Sequence, residues 1–231
     1  MENILYFSSD DWDSGLKTSQ YHIALGLAKN NRVLYINSIG LRKPKASKSD
    51  LNKIIHRLKK WFRGMKQVQD GLYVITPILI PFHQSFIAQG INRLLLVLYI
   101  KHFMKKLHFK SPFLFTFLPN VSGLLGCFGE TKIIYYCADK ISSFRGVPEK
   151  TVLKMERELL KKADVVFATS QNLYKEKILY NKNTYYMPHG VNYGLFKSAM
   201  SNELCISPDV RSVKKPIIGF FGLISRDWID F

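Results

Sequence analysis

Three aspartates crowd into Asp10-Asp11-Trp12-Asp13-Ser14-Gly15, between an apolar run at Ile4–Phe7 and a segment of helical period. Carboxylates so placed can orient the hydroxyls of a sugar or accept a proton as a general base, and Gly15 lets the backbone come close to a ligand. The same acids could instead serve a helix N-terminus through its dipole. No G-x-G-x-x-G occurs in this turn, which argues against dinucleotide binding there. A further acid, Asp139, follows the run Tyr135-Tyr136-Cys137. His189-Gly190 follows Pro188 at the end of another run, and a lone histidine in such a turn is commonly structural. Farther on, Gly219-Phe220-Phe221-Gly222 closes an apolar run from Pro216. The amides of such a turn could hold a pyrophosphate, with Arg226 close behind.

The elements that must position these residues follow from period. Ile4–Phe7, Val33–Ile36, Tyr73–Thr76, Phe113–Phe117, Ile133–Tyr136, Val165–Ala168 and Tyr185–Met187 are short β-branched and aromatic runs that read as strands. Helix-length segments separate them. One starts near Ser14-Gly15 and stops at Asn30-Asn31; others start at Pro148 and at Ser170, the latter as an N-cap. Strand and helix alternating in this way give an α/β fold: a doubly wound, mainly parallel Rossmann-like sheet with helices on both faces. In any such arrangement the loop Asp11–Gly15 and Asp139 converge on the carboxyl edge of the sheet, where α/β domains bind ligands.

Composition narrows the partners. The chain has 231 residues with 34 Lys and Arg against 17 Asp and Glu, a formal charge of +17, so a polyanionic partner is expected. Three widely spaced cysteines, outside any C-x-x-C or Cys/His cluster, speak against a disulfide framework or zinc site and suit a reducing compartment. The start of the chain lacks a basic n-region, and no apolar run approaches the roughly 20 residues of a membrane span. The most biased stretch is the basic region from Arg42 to Lys66. Within it Leu51, Ile54, Ile55, Leu58, Trp61, Phe62 and Met65 fall on one helical stripe, with Lys53, Arg57, Lys60 and Arg63 on the other faces. Such a helix either lies in the headgroup layer of an anionic membrane or docks its stripe on the sheet. A second apolar and basic helix covers Ile91 to Phe109 and reads as a buried crossover, whose cationic end, Lys101, Lys105 and Lys106, would add to the same basic surface if it lies on the same side.

Beyond the strand Tyr185–Met187, residues 200–215 have the composition of a linker. The expected organisation is a Rossmann-like domain over 1–199, the linker, and the start of a second domain over 216–231. Tyr135-Tyr136-Cys137-Ala138-Asp139, the helix from Glu156 to Ala163, Asp164 to Ser170, Tyr186-Met187-Pro188-His189-Gly190-Val191-Asn192 with Phe196, and Ile217 to Gly222 resemble, in order and spacing, a GT-B glycosyltransferase. The resemblance is to the large retaining family four, the glycosyltransferase group 1 type. It implies two Rossmann domains facing across a cleft, the first holding the acceptor and the second a nucleotide sugar. Asp11, Ser14, Gly15 and Asp139 would line the acceptor side, His189 and Gly190 would sit at the interdomain crossing, and Gly222 and Arg226 would approach the donor diphosphate. Asp139 and His189 are the catalytic candidates. No metal and no resident cofactor are implied, the nucleotide sugar being a co-substrate.

The expected activity is hexosyl transfer to a lipid-linked or polysaccharide acceptor in cell-envelope glycan synthesis, in the cytoplasm and peripheral to the inner face of the membrane. Two departures stand out. The family's C-terminal glutamate pair has no counterpart, and Ser225-Arg226-Asp227-Trp228 replaces the phosphate-loop lysine. The chain alone is therefore expected to transfer no sugar. An alternative is a non-catalytic acceptor- or membrane-binding subunit whose partner chain supplies the donor domain. A nucleic-acid-binding protein is a third reading, and no recognisable nucleic-acid-binding module supports it.

Overall fold

The computed structural model describes residues 1–39, 48–79, 86–144, 146–201, 205–220 and 222, with the side chains of 48–54 and 86–89 outside that description. Two compact units result, Met1–Pro188 and His189–Phe231, dividing the chain upstream of the expected linker.

The first unit is built on one eight-stranded sheet. Its strands are β1 (Asn3–Phe7), β2 (Arg32–Ile36), β3 (Lys66–Gln69), β4 (Leu72–Ile75), β5 (Phe113–Thr116), β6 (Lys132–Cys137), β7 (Val165–Ala168) and β8 (Thr184–Tyr186). The order is β3-β4-β2-β1-β5-β6-β7-β8, and every pairing except β3 with β4 is parallel. The doubly wound sheet expected from the alternating pattern is the fold the chain adopts. The antiparallel edge strand β3 is an addition to the expected set. Its signal was Asp70-Gly71, a two-residue turn sequence between short runs. Gly71 has φ +72°, and a Cβ there would lie 2.8 Å from the Asn31 carbonyl oxygen. Gly71→Ala is expected to cost about 1–3 kcal/mol through this backbone conflict, read as a lower urea midpoint.

Both faces of the central strands are buried, and the two-residue period decides which residue goes where. On β1, Leu5 and Phe7 join a cluster with Ile100, Phe103 and Leu114, while Ile4 and Tyr6 join Ala24, Val33 and Phe115 on the other face. Helix α1 (Ser19–Ala28) covers the latter face through Ala24 and Ala28. Helix α3 (Phe86–Lys106) covers the former through Leu96, Ile100 and Phe103. Helix α2 (Lys48–Arg63) lies between β2 and β3 in the chain. Helices α4 (Glu149–Lys162) and α5 (Gln171–Lys177) follow β6 and β7. Pro148 starts α4, and Ser170 caps α5 by accepting the Leu173 N–H at 3.2 Å, as those sequences led one to expect. Asn31 Nδ2 donates to the Leu27 carbonyl at 3.0 Å and closes the end of α1.

The start of α1 differs from the expected one. The helix begins at Ser19, not beside Ser14, because Ser14 turns its hydroxyl to the Leu16 carbonyl at 2.8 Å. No acid occupies the first turn of α1, so Asp11 and Asp13 stand outside the helix whose dipole they might have served.

The second unit contains the short helices α6 (Tyr193–Ser198) and α7 (Pro208–Arg211). Asn192 caps α6 by accepting the Leu195 N–H at 3.2 Å. Residues 217–220, expected as a strand, form none. A β-strand exists through its neighbours' hydrogen bonds, and no strand lies among the described residues from 189 onward.

Candidate functional site

The direction of winding reverses between β1 and β5: β2 and β4 follow on one side, β6, β7 and β8 on the other. Loops leaving the carboxyl ends of β1 and β5 therefore diverge and leave a crevice. A cavity of about 470 Å³ opens there, lined by Ser9, Asp10, Gln20, Ser38, Phe117, Leu118, Ala138, Asp139, Ile141, Phe144 and Val147.

Its polar wall is fixed from beneath. Gln20, buried at the start of α1, accepts from the Ser8 hydroxyl at 2.7 Å and from the Ser9 N–H at 2.8 Å through the same Oε1. Ser8 Oγ in turn accepts from the Tyr35 hydroxyl at 2.6 Å and from the Asp10 N–H at 3.0 Å. The Asp10 carboxylate accepts from the Thr18 hydroxyl at 2.6 Å. Asn37 at the end of β2 accepts the Trp12 N–H at 2.8 Å and donates to Thr76 at 2.8 Å. The loop after β1 is thus tied at successive residues to groups rooted in the sheet. Each tie is modest, and together they fix where Asp10 points.

The phenols under this wall do not ionise readily. Burial pushes Tyr6 well above the ordinary tyrosine value, with Tyr35, Tyr136 and Asp10 nearby adding to the effect. Burial likewise raises Tyr35, against a lowering by its bond to Ser8. Both are stacked, 5.3 Å between ring centres, and act as neutral donors.

On the far side, Asp139 stands exposed just past β6, with a buried ionic group behind that strand. Lys177, 1% exposed at the side chain, meets Glu156 at 2.9 Å and Glu176 at 2.8 Å. Glu156 also accepts the Tyr135 hydroxyl at 2.8 Å. Glu176 extends the chain to Lys140 at 3.5 Å, the residue after Asp139. Desolvation alone would lower Lys177, but the charge of Glu156 and the bonds to both acids outweigh it, and the ammonium is held above its usual range. Burial dominates at Cys137, pushed up to about 12 with Glu156 adding to the rise, which makes this thiol inert near neutrality.

Of the residues singled out by sequence, Asp139 lines the cavity, while Asp11, Ser14 and Gly15 are not among its lining residues. Asp11 is engaged by Arg57 of α2 at 3.2 Å and Asp13 by Lys60 at 3.3 Å. Arg57 also donates to the Ser38 carbonyl. Two cations expected to face a membrane thus point instead to the acidic loop, because carboxylates within reach are the better partners for side chains only partly exposed. Trp61, Phe62 and Arg63 remain on the outer surface. Lys53 lies outside the described side chains and Arg226 outside the described residues. His189, Gly190 and Gly222 are exposed in the second unit.

Asp10, named in the acidic loop but not among the acceptor-side candidates, does line the cavity, and Ser9, Gln20 and Ser38 line it without having been singled out. Gln20 did carry a signal: it shares the buried face of α1 with Ala24 and Ala28, a polar residue at core positions. Ser38 carried none.

The charged lining residues are both acids, Asp10 and Asp139, in a chain of net charge +17. Acidic and amide groups lining one cavity with Phe117 and Phe144 suit a neutral, hydroxyl-rich ligand better than a phosphate.

No protein-family model matches the sequence, and no curated protein matches it. Among solved structures the chain is similar to a sucrose-phosphate synthase from Thermosynechococcus elongatus, at 18% identity over 86% of this chain and 95% of that one, with a TM-score of 0.48. A likeness in fold does not transfer substrate or activity.

Proposed function

We propose that the first unit is the acceptor-binding part of a nucleotide-sugar-dependent glycosyltransferase, presenting a hydroxyl of a glycan or glycolipid for hexosyl transfer in envelope glycan synthesis. The observation that carries this reading is the cavity at the β1/β5 crossing, whose lining combines the carboxylates of Asp10 and Asp139 from two loops with Gln20, Ser9 and Ser38 and the rings of Phe117 and Phe144. In this reading Asp139, an exposed carboxylate of the lining, takes the acceptor proton. Orientation of the acceptor, not a covalent protein nucleophile, would be this unit's contribution to rate.

Calorimetric titration with neutral oligosaccharides is expected to show binding, weakened about tenfold by Asp139→Asn, the loss of one charge-assisted hydrogen bond. Binding of nucleoside diphosphates but of no glycan would overturn the assignment.

A second reading, a subunit working with a separate donor-domain chain, is favoured by one observation. No described residue from 189 onward is buried, and Val191, Leu195, Phe196, Ile218 and Phe220 are exposed. A segment this apolar without its own core suits a protein partner. Co-purification of a nucleotide-sugar-binding chain that is lost on Phe196→Ser would favour it; a monodisperse monomer from the native source would dismiss it.

A further inference from the structure

Helix α3 is apolar on two opposite sides. One side, Leu96, Ile100, Phe103 and Met104, is buried against the sheet. The other should by the ordinary logic of a surface helix be polar, yet it carries Ile91, Leu94, Leu95 and Leu98, exposed at 43%, 59%, 47% and 56%. These four follow the spacing i, i+3, i+4, i+7 and form one stripe.

Helix α2 extends it. Trp61 stacks on Tyr99 of α3 at 6.2 Å, and Gly64, just past α2, faces Phe103. Around that contact Ile55, Leu58 and Phe62 stay exposed, Phe62 at 79%. Apolar side chains from two abutting helices thus share an outward surface of a kind a monomer in water rarely keeps.

The surrounding charge selects the occupant. The two helices hold ten Lys and Arg and a single acid, Asp50. Arg57 and Lys60 are turned to Asp11 and Asp13, whereas Lys59, Arg63, Lys101 and Lys105 are exposed beside the apolar residues. The rim of a protein interface commonly carries charges of both signs, whereas cations of a single sign around exposed apolar side chains complement an anionic bilayer, which takes up the apolar groups below its headgroups.

We propose that the joint outer face of α2 and α3 docks on an anionic lipid bilayer, inserting Phe62, Leu94 and Leu98 below the headgroups and setting Lys59, Arg63 and Lys101 against lipid phosphates. Trp61 and Phe62 were membrane-surface candidates in the sequence, and the cationic end of α3 a conditional addition to them; the exposed apolar stripe of α3 is seen only in the fold. The ion pairs from Arg57 and Lys60 place this face beside the loop that carries Asp10.

The test is vesicle co-sedimentation of the full chain without any sugar, so its outcome is independent of the transferase reading. Binding to phosphatidylcholine vesicles containing phosphatidylglycerol is expected to exceed binding to phosphatidylcholine alone by about tenfold or more, and to fall as salt rises. Phe62→Ser with Leu94→Ser should weaken it at least about tenfold. Lys59→Glu with Arg63→Glu should abolish the preference for the anionic lipid. Because all four side chains are outward, the thermal midpoint of each variant should match the parent. No binding to either vesicle, or equal binding to both, would overturn the proposal. So would light scattering that shows a dimer reduced to monomer by the Phe62 and Leu94 changes, since a second copy would then cover the face.

Discussion

Lys177→Met is expected to lower the unfolding free energy by about 3–5 kcal/mol, measured by urea denaturation. The lysine is buried, and its removal leaves Glu156, 8% exposed at the side chain, without its cationic partner. The Tyr135 hydroxyl, 2.8 Å away, cannot offset a buried negative charge by itself. Glu156→Gln combined with Lys177→Met should therefore recover most of the loss, since the neutral amide keeps an acceptor for Tyr135 and no charge is stranded. A single-variant cost below about 1 kcal/mol, or a double variant no better than the single, would refute this account. The effect should reach the site, because Glu176 and Lys140 continue the ionic chain to the loop of Asp139. Under the proposed function, loss of oligosaccharide binding before loss of helix signal on mild urea addition is the expected sign.

Alkaline pH should unfold the protein cooperatively. Tyr6, Tyr35 and Tyr135 are raised above the ordinary tyrosine value by burial, Tyr99 is pushed up to about 12 and Cys137 to about 12, chiefly for the same reason. Each group holds its proton more tightly folded than unfolded. Its contribution is complete below the unfolded pKa and is lost as pH rises through the folded one. Lys177, also raised, acts in the same direction. The contribution of Cys137 is lost as pH rises from about 9 to about 12. Phenolate absorbance from the buried subset of the 12 tyrosines should consequently appear together with loss of the circular dichroism signal. Complete tyrosine titration near about pH 10 with the fold intact would contradict it. On the acid side a smaller decline is expected. Glu176 is held below the usual carboxylate range, its bonds to Lys177 outweighing desolvation, and that contribution goes as pH falls through its folded value.

Much of the fold could be read before any coordinates. Ile4–Phe7 and Val33–Ile36 are short runs buried on both faces and Val165–Ala168 an apolar run buried on one, so all three announced themselves by composition alone. The caps at Pro148 and Ser170 are equally local, since a cap is an arrangement of three or four neighbouring residues. The edge strand Lys66–Gln69 escaped because it is polar at three of its four positions and is held mainly by its antiparallel partner.

The site divides along the same line. Local pattern located the loop after β1 and the acid after β6, and sheet topology required both to reach one edge. Local pattern could not say that Asp10 lines the cavity while Asp11 turns to Arg57, because adjacent residues in an extended loop point apart and the choice rests on Gln20, Tyr35 and α2, from 10 to 46 residues away. Nor could the amphipathic pattern of α2 reveal that two of its cations are engaged, or that α3 lends it an apolar neighbour. Period and composition specify what each segment must bury. Which polar groups then meet is decided only when the sheet brings distant loops within hydrogen-bonding reach.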